Sequence, residues 1–121
     1  MAKDYYKKHK CDKLFVYGTL QHGQSRNYIL SGSKYEKATL LNYRKVVPPS
    51  LGFPFIIKED NSNVKGEIYY NVGQSIINQI DMIEGEGELY NRILVKVKLD
   101  DGGETEAYTY YPSEMLIKNY T

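Results

Sequence analysis

Two stretches of this chain carry residue types able to do chemistry: "YGTL", residues 17–20, and "IDMIEGEGELYNR", residues 80–92. In the first, the apolar run ending at Tyr17 meets Gly18 and must turn. Such a turn exposes successive N–H groups, a small nest for an anion; an ordinary strand end accounts for the same residues. In the second, Asp81, Glu84, Glu86 and Glu88 crowd the end of an expected helix. Glu86 and Glu88 read as solvated loop charges. Glu84 differs, because it lies beside Ile83 in the last helical turn. There the negative end of the helix dipole, nearby carboxylates and partial burial all raise a carboxylate's affinity for a proton. Such a glutamate is either a tolerated surface residue or a general base tuned towards neutral pH.

Other patterns dissolve on inspection. "SGSK", residues 31–34, matches Ser-x-x-Lys, but its partner motifs are missing and a polar turn explains it. His9, Cys11 and His22 are too few and badly spaced for zinc. "DDGGETE" lacks the ligand spacing of a calcium loop, and "GTLQHG" lacks the Gly-Lys-Ser/Thr ending of a phosphate-binding loop. The "NYT" sequon has no secretory context and is set aside. No metal site is expected.

The elements that must position the two stretches follow from hydrophobic pattern. "KLFVYG", residues 13–18, is a short continuous apolar run and reads as a central strand buried on both faces. "QSRNYIL" forms a short helix ending near "SGS". Residues 35–47 have strand character until Pro48, Pro49 and Gly52 break it. "FPFIIKED" is another strand, "NSN" at 61–63 a turn, and "VKGEIYYNV" the returning strand. Its Gly66 marks a bulge or a close backbone approach. The main helix is "GQSIINQIDMIEG", residues 73–85, with Ile76, Ile80 and Ile83 on one face, Asn71 as N-cap and Gly85 as stop. "YNRILVKVKL" alternates, placing Ile93, Val95, Val97 and Leu99 on one side. "DDGG" is a hairpin turn, "ETEAYTYY" the partner strand, and a short helix follows Pro112. The expected class is α+β, a small barrel-like mixed sheet with one main helix and short flanking helices.

Composition sets the boundaries. The 121 residues make one compact domain, 13–121, behind a polar lead-in at 1–12 that holds Lys3, Lys7, Lys8 and Lys10. Sixteen basic residues against fifteen acidic ones speak against a nucleic-acid binder. The lone Cys11 excludes an internal disulfide. No run reaches the roughly 18 apolar residues of a membrane span, and the start has no apolar signal region. A cytoplasmic location is therefore expected.

"FVYGTL", "GEIYYNV", "IDMIEGEGELYNR" and "AYTYY" occur in the order typical of the γ-glutamylcyclotransferase-like (AIG2-like) family, and residues 13 to 111 resemble it. The look is most similar to its short γ-glutamylamine cyclotransferase branch. The resemblance implies a barrel-like mixed sheet and a reaction without cofactor. In that reaction the α-amine of a γ-glutamyl amide attacks its own γ-carbonyl, giving 5-oxoproline and a free amine. It implies Glu84 as the proton-transferring residue and Tyr17, Gly18, Thr19 and Leu20 as the loop that binds the glutamyl part. Matching positions make Tyr90 and Tyr110 candidate walls, although core packing explains both equally. The residue types suit this chemistry. The substrate supplies the nucleophile, so the site needs positioning, N–H donors and one base. The implied partner is a small γ-glutamyl molecule, with neither nucleic acid nor membrane; the number of subunits is not legible. Two other readings stand beside the enzyme: a non-catalytic metabolite-binding module with the same pocket, and a barrel using its tyrosines to bind RNA or protein.

Overall fold

The computed structural model describes residues 11–120. Residues 1–10 of the expected lead-in, with His9 and its four lysines, and Thr121 lie outside the described residues. The elements are β1 (Leu14–Val16), a 3-10 turn (Asn27–Leu30), β2 (Tyr35–Val46), β3 (Phe55–Tyr69), α1 (Gln74–Glu84), β4 (Tyr90–Leu99), β5 (Glu104–Pro112) and α2 (Glu114–Tyr120). The strands close into a barrel in the order β1-β3-β2-β4-β5. Every pairing is antiparallel except β1 with β5. The expected α+β barrel with one main helix is what the chain forms.

Alternation along β1 serves two cores. Phe15 and Tyr17 join Leu40, Ile68, Val97 and Ala107 in a cluster that draws on all five strands and no helix, which is the barrel interior. Leu14 and Val16 face a second cluster, where Ile77 and Ile80 of α1 and Leu116 of α2 cover the barrel. All three β1 residues are buried, as the continuous apolar run requires. Gly66 on β3 permits this central strand. A Cβ there would lie 2.3 Å from the Val16 carbonyl oxygen and 2.8 Å from Phe15 Cζ. The close approach, and not a bulge, is what this glycine provides.

Three local expectations are corrected. "NSN" is not a turn between two strands, because β3 runs unbroken through it. Pairing with β2 steps from Leu41–Asn63 to Tyr43–Lys58, so residues 59–62 bulge out opposite Asn42. Asn42 and Asn61 both adopt left-handed backbone, which asparagine tolerates, and the Asn61 N–H donates to Asn42 Oδ1. The real hairpin turn is 47–54, which holds Pro48, Pro49 and Pro54. Asn71 does not cap α1 either. It turns the chain with φ 56°, and Gly73 occupies the cap position without a side-chain hydrogen bond. Finally, the buried face of α1 centres on Ile77 and Ile80; Ile76 packs at its edge and Ile83 is 37% exposed. The shift matters, because Glu84 is then i+7 from Ile77 and i+4 from Ile80, on the inward stripe itself.

Candidate active site

A cavity of about 370 Å³, within the usual size for small-ligand sites, opens at one end of the barrel. Tyr17, Gly18, Thr19, Leu20, Glu84, Tyr90 and Tyr110 all line it. Residues far apart in sequence meet because β1, α1 and β5 end there and β4 begins there.

The turn after β1 is held from one side only. The Gly18 carbonyl accepts from the Gln21 N–H at 3.1 Å and the Thr19 carbonyl from the Arg26 N–H at 2.9 Å. The Leu20 carbonyl accepts from Asn27 Nδ2 at 2.9 Å. The same Asn27 amide bonds the Tyr69 hydroxyl at 2.7 Å, which ties the turn to β3. The N–H groups of Gly18, Thr19 and Leu20 find no protein acceptor among the described residues. Carbonyls are consumed and donors left over, the polarity an anion site requires. Tyr17 and Leu20 are themselves buried, and the Tyr17 hydroxyl donates to the Tyr110 carbonyl at 2.6 Å.

Glu84 closes α1, and Gly85 stops the helix with φ 65° and its N–H on the Asp81 and Met82 carbonyls. Burial raises the proton affinity of Glu84 from its ordinary value, and the Arg26 guanidinium partly opposes this. The ion pair with Arg26 is loose, 3.8 Å between Nη1 and Oε2. A tight loop then carries the chain to Tyr90, with the Gly85 carbonyl accepting from the N–H groups of Glu88 and Leu89, each at 2.9 Å. The Tyr90 hydroxyl donates to the Pro54 carbonyl at 2.8 Å. Burial first, then the charge of Glu84, pushes the Tyr90 phenol well up, so it stays a neutral donor. Tyr110 is held likewise: its hydroxyl donates to Asp81 Oδ1 at 2.6 Å, and burial with that bond raises its proton affinity strongly.

Sequence reasoning missed part of this wall. Gly52 read as part of a strand break and Phe53 and Pro54 as the start of the next strand, yet all three belong to the hairpin tip that lines the cavity. Arg26 stood unremarked in a short helix, and nothing in its local pattern marks it. Asp81 and Arg92 form the supporting layer: Arg92 Nη1 donates to Asp81 Oδ2 at 2.7 Å, and the guanidinium lies 4.6 Å from the Tyr108 ring centroid. Glu86 is not merely solvated; its carboxylate accepts the Arg92 N–H at 3.3 Å. Glu88 is exposed, as expected.

A family model for gamma-glutamyl cyclotransferase, AIG2-like proteins matches residues 14–120. The chain belongs to this family. It is 32% identical to gamma-glutamylaminecyclotransferase A of Danio rerio over 114 residues, 85% of this chain and 70% of the relative. It is 36% identical over 109 residues to the gamma-L-glutamyl-butirosin B gamma-glutamyl cyclotransferase of Niallia circulans, covering 80% of this chain and 64% of that one. Among solved structures, an Arabidopsis thaliana protein in solution superposes with a TM-score of 0.75 at 22% identity, over 90% of this chain and 73% of the other. That likeness is one of fold, and it agrees with the closed barrel described above. Among the described residues no cluster of His, Cys, Asp or Glu is arranged to hold a metal ion, and no helix is long and apolar enough to cross a membrane.

Proposed function

We propose that this protein is a γ-glutamyl cyclotransferase that converts a γ-glutamyl amide into 5-oxoproline and a free amine, with Glu84 as its proton-transferring residue. Family membership supports γ-glutamyl cyclotransferase activity in general. The observation that carries the finer reading is the meeting of Glu84 with the donor-rich turn of residues 18–20 in one cavity.

Glu84 first accepts a proton from the substrate's α-ammonium. The freed amine attacks the γ-carbonyl carbon, a ring C–N bond forms, and the carbonyl oxygen gains negative charge beside the N–H groups of the turn. The ring nitrogen then gives up its second proton and the exocyclic C–N bond breaks. Glu84 relays both protons to the leaving nitrogen, which departs as an ammonium. No atom is gained or lost, and no cofactor is required. Burial, which raises the proton affinity of this carboxylate, suits the exchange, because the base must both take and return protons. Tyr17, Tyr90 and Tyr110 wall the cavity and help hold the glutamyl chain bent, which is the positional part of the catalysis.

The test is release of 5-oxoproline from a panel of γ-glutamyl amides, with 5-oxoproline binding measured in parallel. Turnover of one amide above the rest supports the reading and names the amine. Binding without turnover of any amide refutes it in favour of a metabolite-binding module.

A further inference from the structure

Among the described residues, only two of the side chains lining the cavity are charged, Glu84 and Arg26. This inference rests on the cyclotransferase reading and assigns the second of them. We propose that Arg26 binds the α-carboxylate of the γ-glutamyl group while Glu84 holds its α-ammonium, so that the resting Arg26–Glu84 pair is replaced by two pairs with the substrate.

The geometry of the resting pair is the first support. At 3.8 Å the contact is longer than the roughly 2.7–2.9 Å of a charge-assisted hydrogen bond. The Arg26 guanidinium makes no hydrogen bond to any acceptor among the described residues, so its five N–H donors are not committed. Its side chain is 47% exposed, so it can turn towards an incoming group at little cost. Its root cannot wander, because the Arg26 N–H is bonded to the Thr19 carbonyl. The guanidinium thus hangs from the donor turn itself.

Charge complementarity is the second support. A γ-glutamyl head carries an ammonium and a carboxylate on one carbon, and the cavity offers an anion and a cation side by side. The reverse arrangement would set carboxylate against carboxylate. A planar guanidinium matches a carboxylate with two parallel bonds. The assignment also divides the donors: with the carboxylate on Arg26, the N–H groups of residues 18–20 are left for the oxygen of the reacting carbonyl.

The experiment compares ligands with and without the carboxylate, in wild type and in Arg26→Gln and Arg26→Lys. Affinities for 5-oxoproline and 2-pyrrolidinone are measured, together with kcat and KM for a γ-glutamyl amide and for the 4-aminobutanoyl amide of the same amine. Wild type should favour the carboxylate-bearing member of each pair by about 10- to 100-fold, the worth of a hydrogen-bonded charge pair. In Arg26→Gln this preference should collapse to a few-fold, mostly through KM, with kcat little changed and the melting temperature preserved; Arg26→Lys should recover part of it. An undiminished preference in Arg26→Gln, or no preference in wild type, overturns the assignment. Absence of 5-oxoproline release by wild type overturns the cyclotransferase reading instead, and the two binding affinities still decide the role of Arg26.

Discussion

Two arginine–carboxylate pairs leave the same helix in opposite states. Asp81 meets Arg92 at 2.7 Å, and the Arg92 side chain is 4% exposed, stacked near Tyr108 and tied through Asp81 to the Tyr110 hydroxyl. Glu84, one turn later, meets Arg26 at only 3.8 Å, and that arginine is half in solvent. In the first pair each carboxylate oxygen takes a short hydrogen bond, one from Arg92 Nη1 and one from the Tyr110 hydroxyl, so the pair is scaffold: it fixes β4 and β5 against α1. In the second pair both partners keep unused hydrogen-bonding capacity and face a cavity. Position on the helix explains the contrast. Asp81 lies where β4 and β5 pack against α1, whereas Glu84 stands where the helix ends and the barrel mouth opens.

If this contrast holds, the largest loss of stability follows from breaking the scaffold pair. Arg92→Met strands Asp81 without its cation, and the fold should lose about 3 kcal/mol, the low end for a broken buried pair because Asp81 keeps some contact with solvent. Chemical denaturation of the variant measures it. A loss below about 1 kcal/mol would erase the distinction between the two pairs.

Glu84→Gln should do the reverse. Turnover should fall about 10²-fold or more, the scale of a lost general base, with 5-oxoproline binding largely kept. Stability should not fall. Because burial raises the folded-state affinity of Glu84 for a proton, the folded chain binds more protons than the unfolded one between the two pKa values. Its contribution to stability therefore declines as pH rises through that window, and the neutral amide removes the decline. A melting temperature at neutral pH equal to or above wild type is expected. Normal turnover would remove Glu84 from the mechanism, and a collapsed melting temperature would make it structural.

Tyr110→Phe cuts one bond between scaffold and cavity, the 2.6 Å hydroxyl contact with Asp81. A cost of about 1.5 kcal/mol in stability is expected for a hydrogen bond to a charged group, read from the shift in denaturation midpoint. The same change should lower turnover only several-fold, since the phenol is committed to Asp81.

The smallest effect is on the pH profile. The acid limb of kcat/KM should sit above the ordinary glutamate pKa of about 4.3, because burial raises Glu84. Arg26 lowers that value, so Arg26→Gln should move the limb further up, whereas Arg92→Met should leave it nearly in place. Equal shifts in both variants would mean that the two arginines do not differ in their hold on Glu84.

Much of this architecture was legible in the residues. The apolar run of β1, the alternation of β4, the "DDGG" hairpin and the Gly85 helix stop each rest on local rules, and each forms as expected. The chain order of "YGTL", the helix-end glutamate and the late tyrosines was enough to point to a family. Local rules failed where a distant partner outweighed them. "NSN" looks like a turn, but β2 pairs on both sides of it and keeps β3 continuous. Asn71 looks like a cap, but the chain needs it in left-handed backbone to swing from β3 into α1. Glu86 looks solvated until the Arg92 N–H reaches it.

What the sequence determined by itself was most of the elements and the chemical types found at the barrel mouth, because hydrophobic period and turn residues act over a few positions. Only the tertiary structure decided which charges face each other there. The rotation of α1 about Ile77 and Ile80 turns Glu84 inward, the closed barrel brings the 52–54 hairpin over Tyr90, and the hydrogen bond from Arg26 to Thr19 hangs a cation beside the base. Burial, distance and the competition of partners for each donor are properties of the assembled chain, and they separate the scaffold pair from the pair at the cavity.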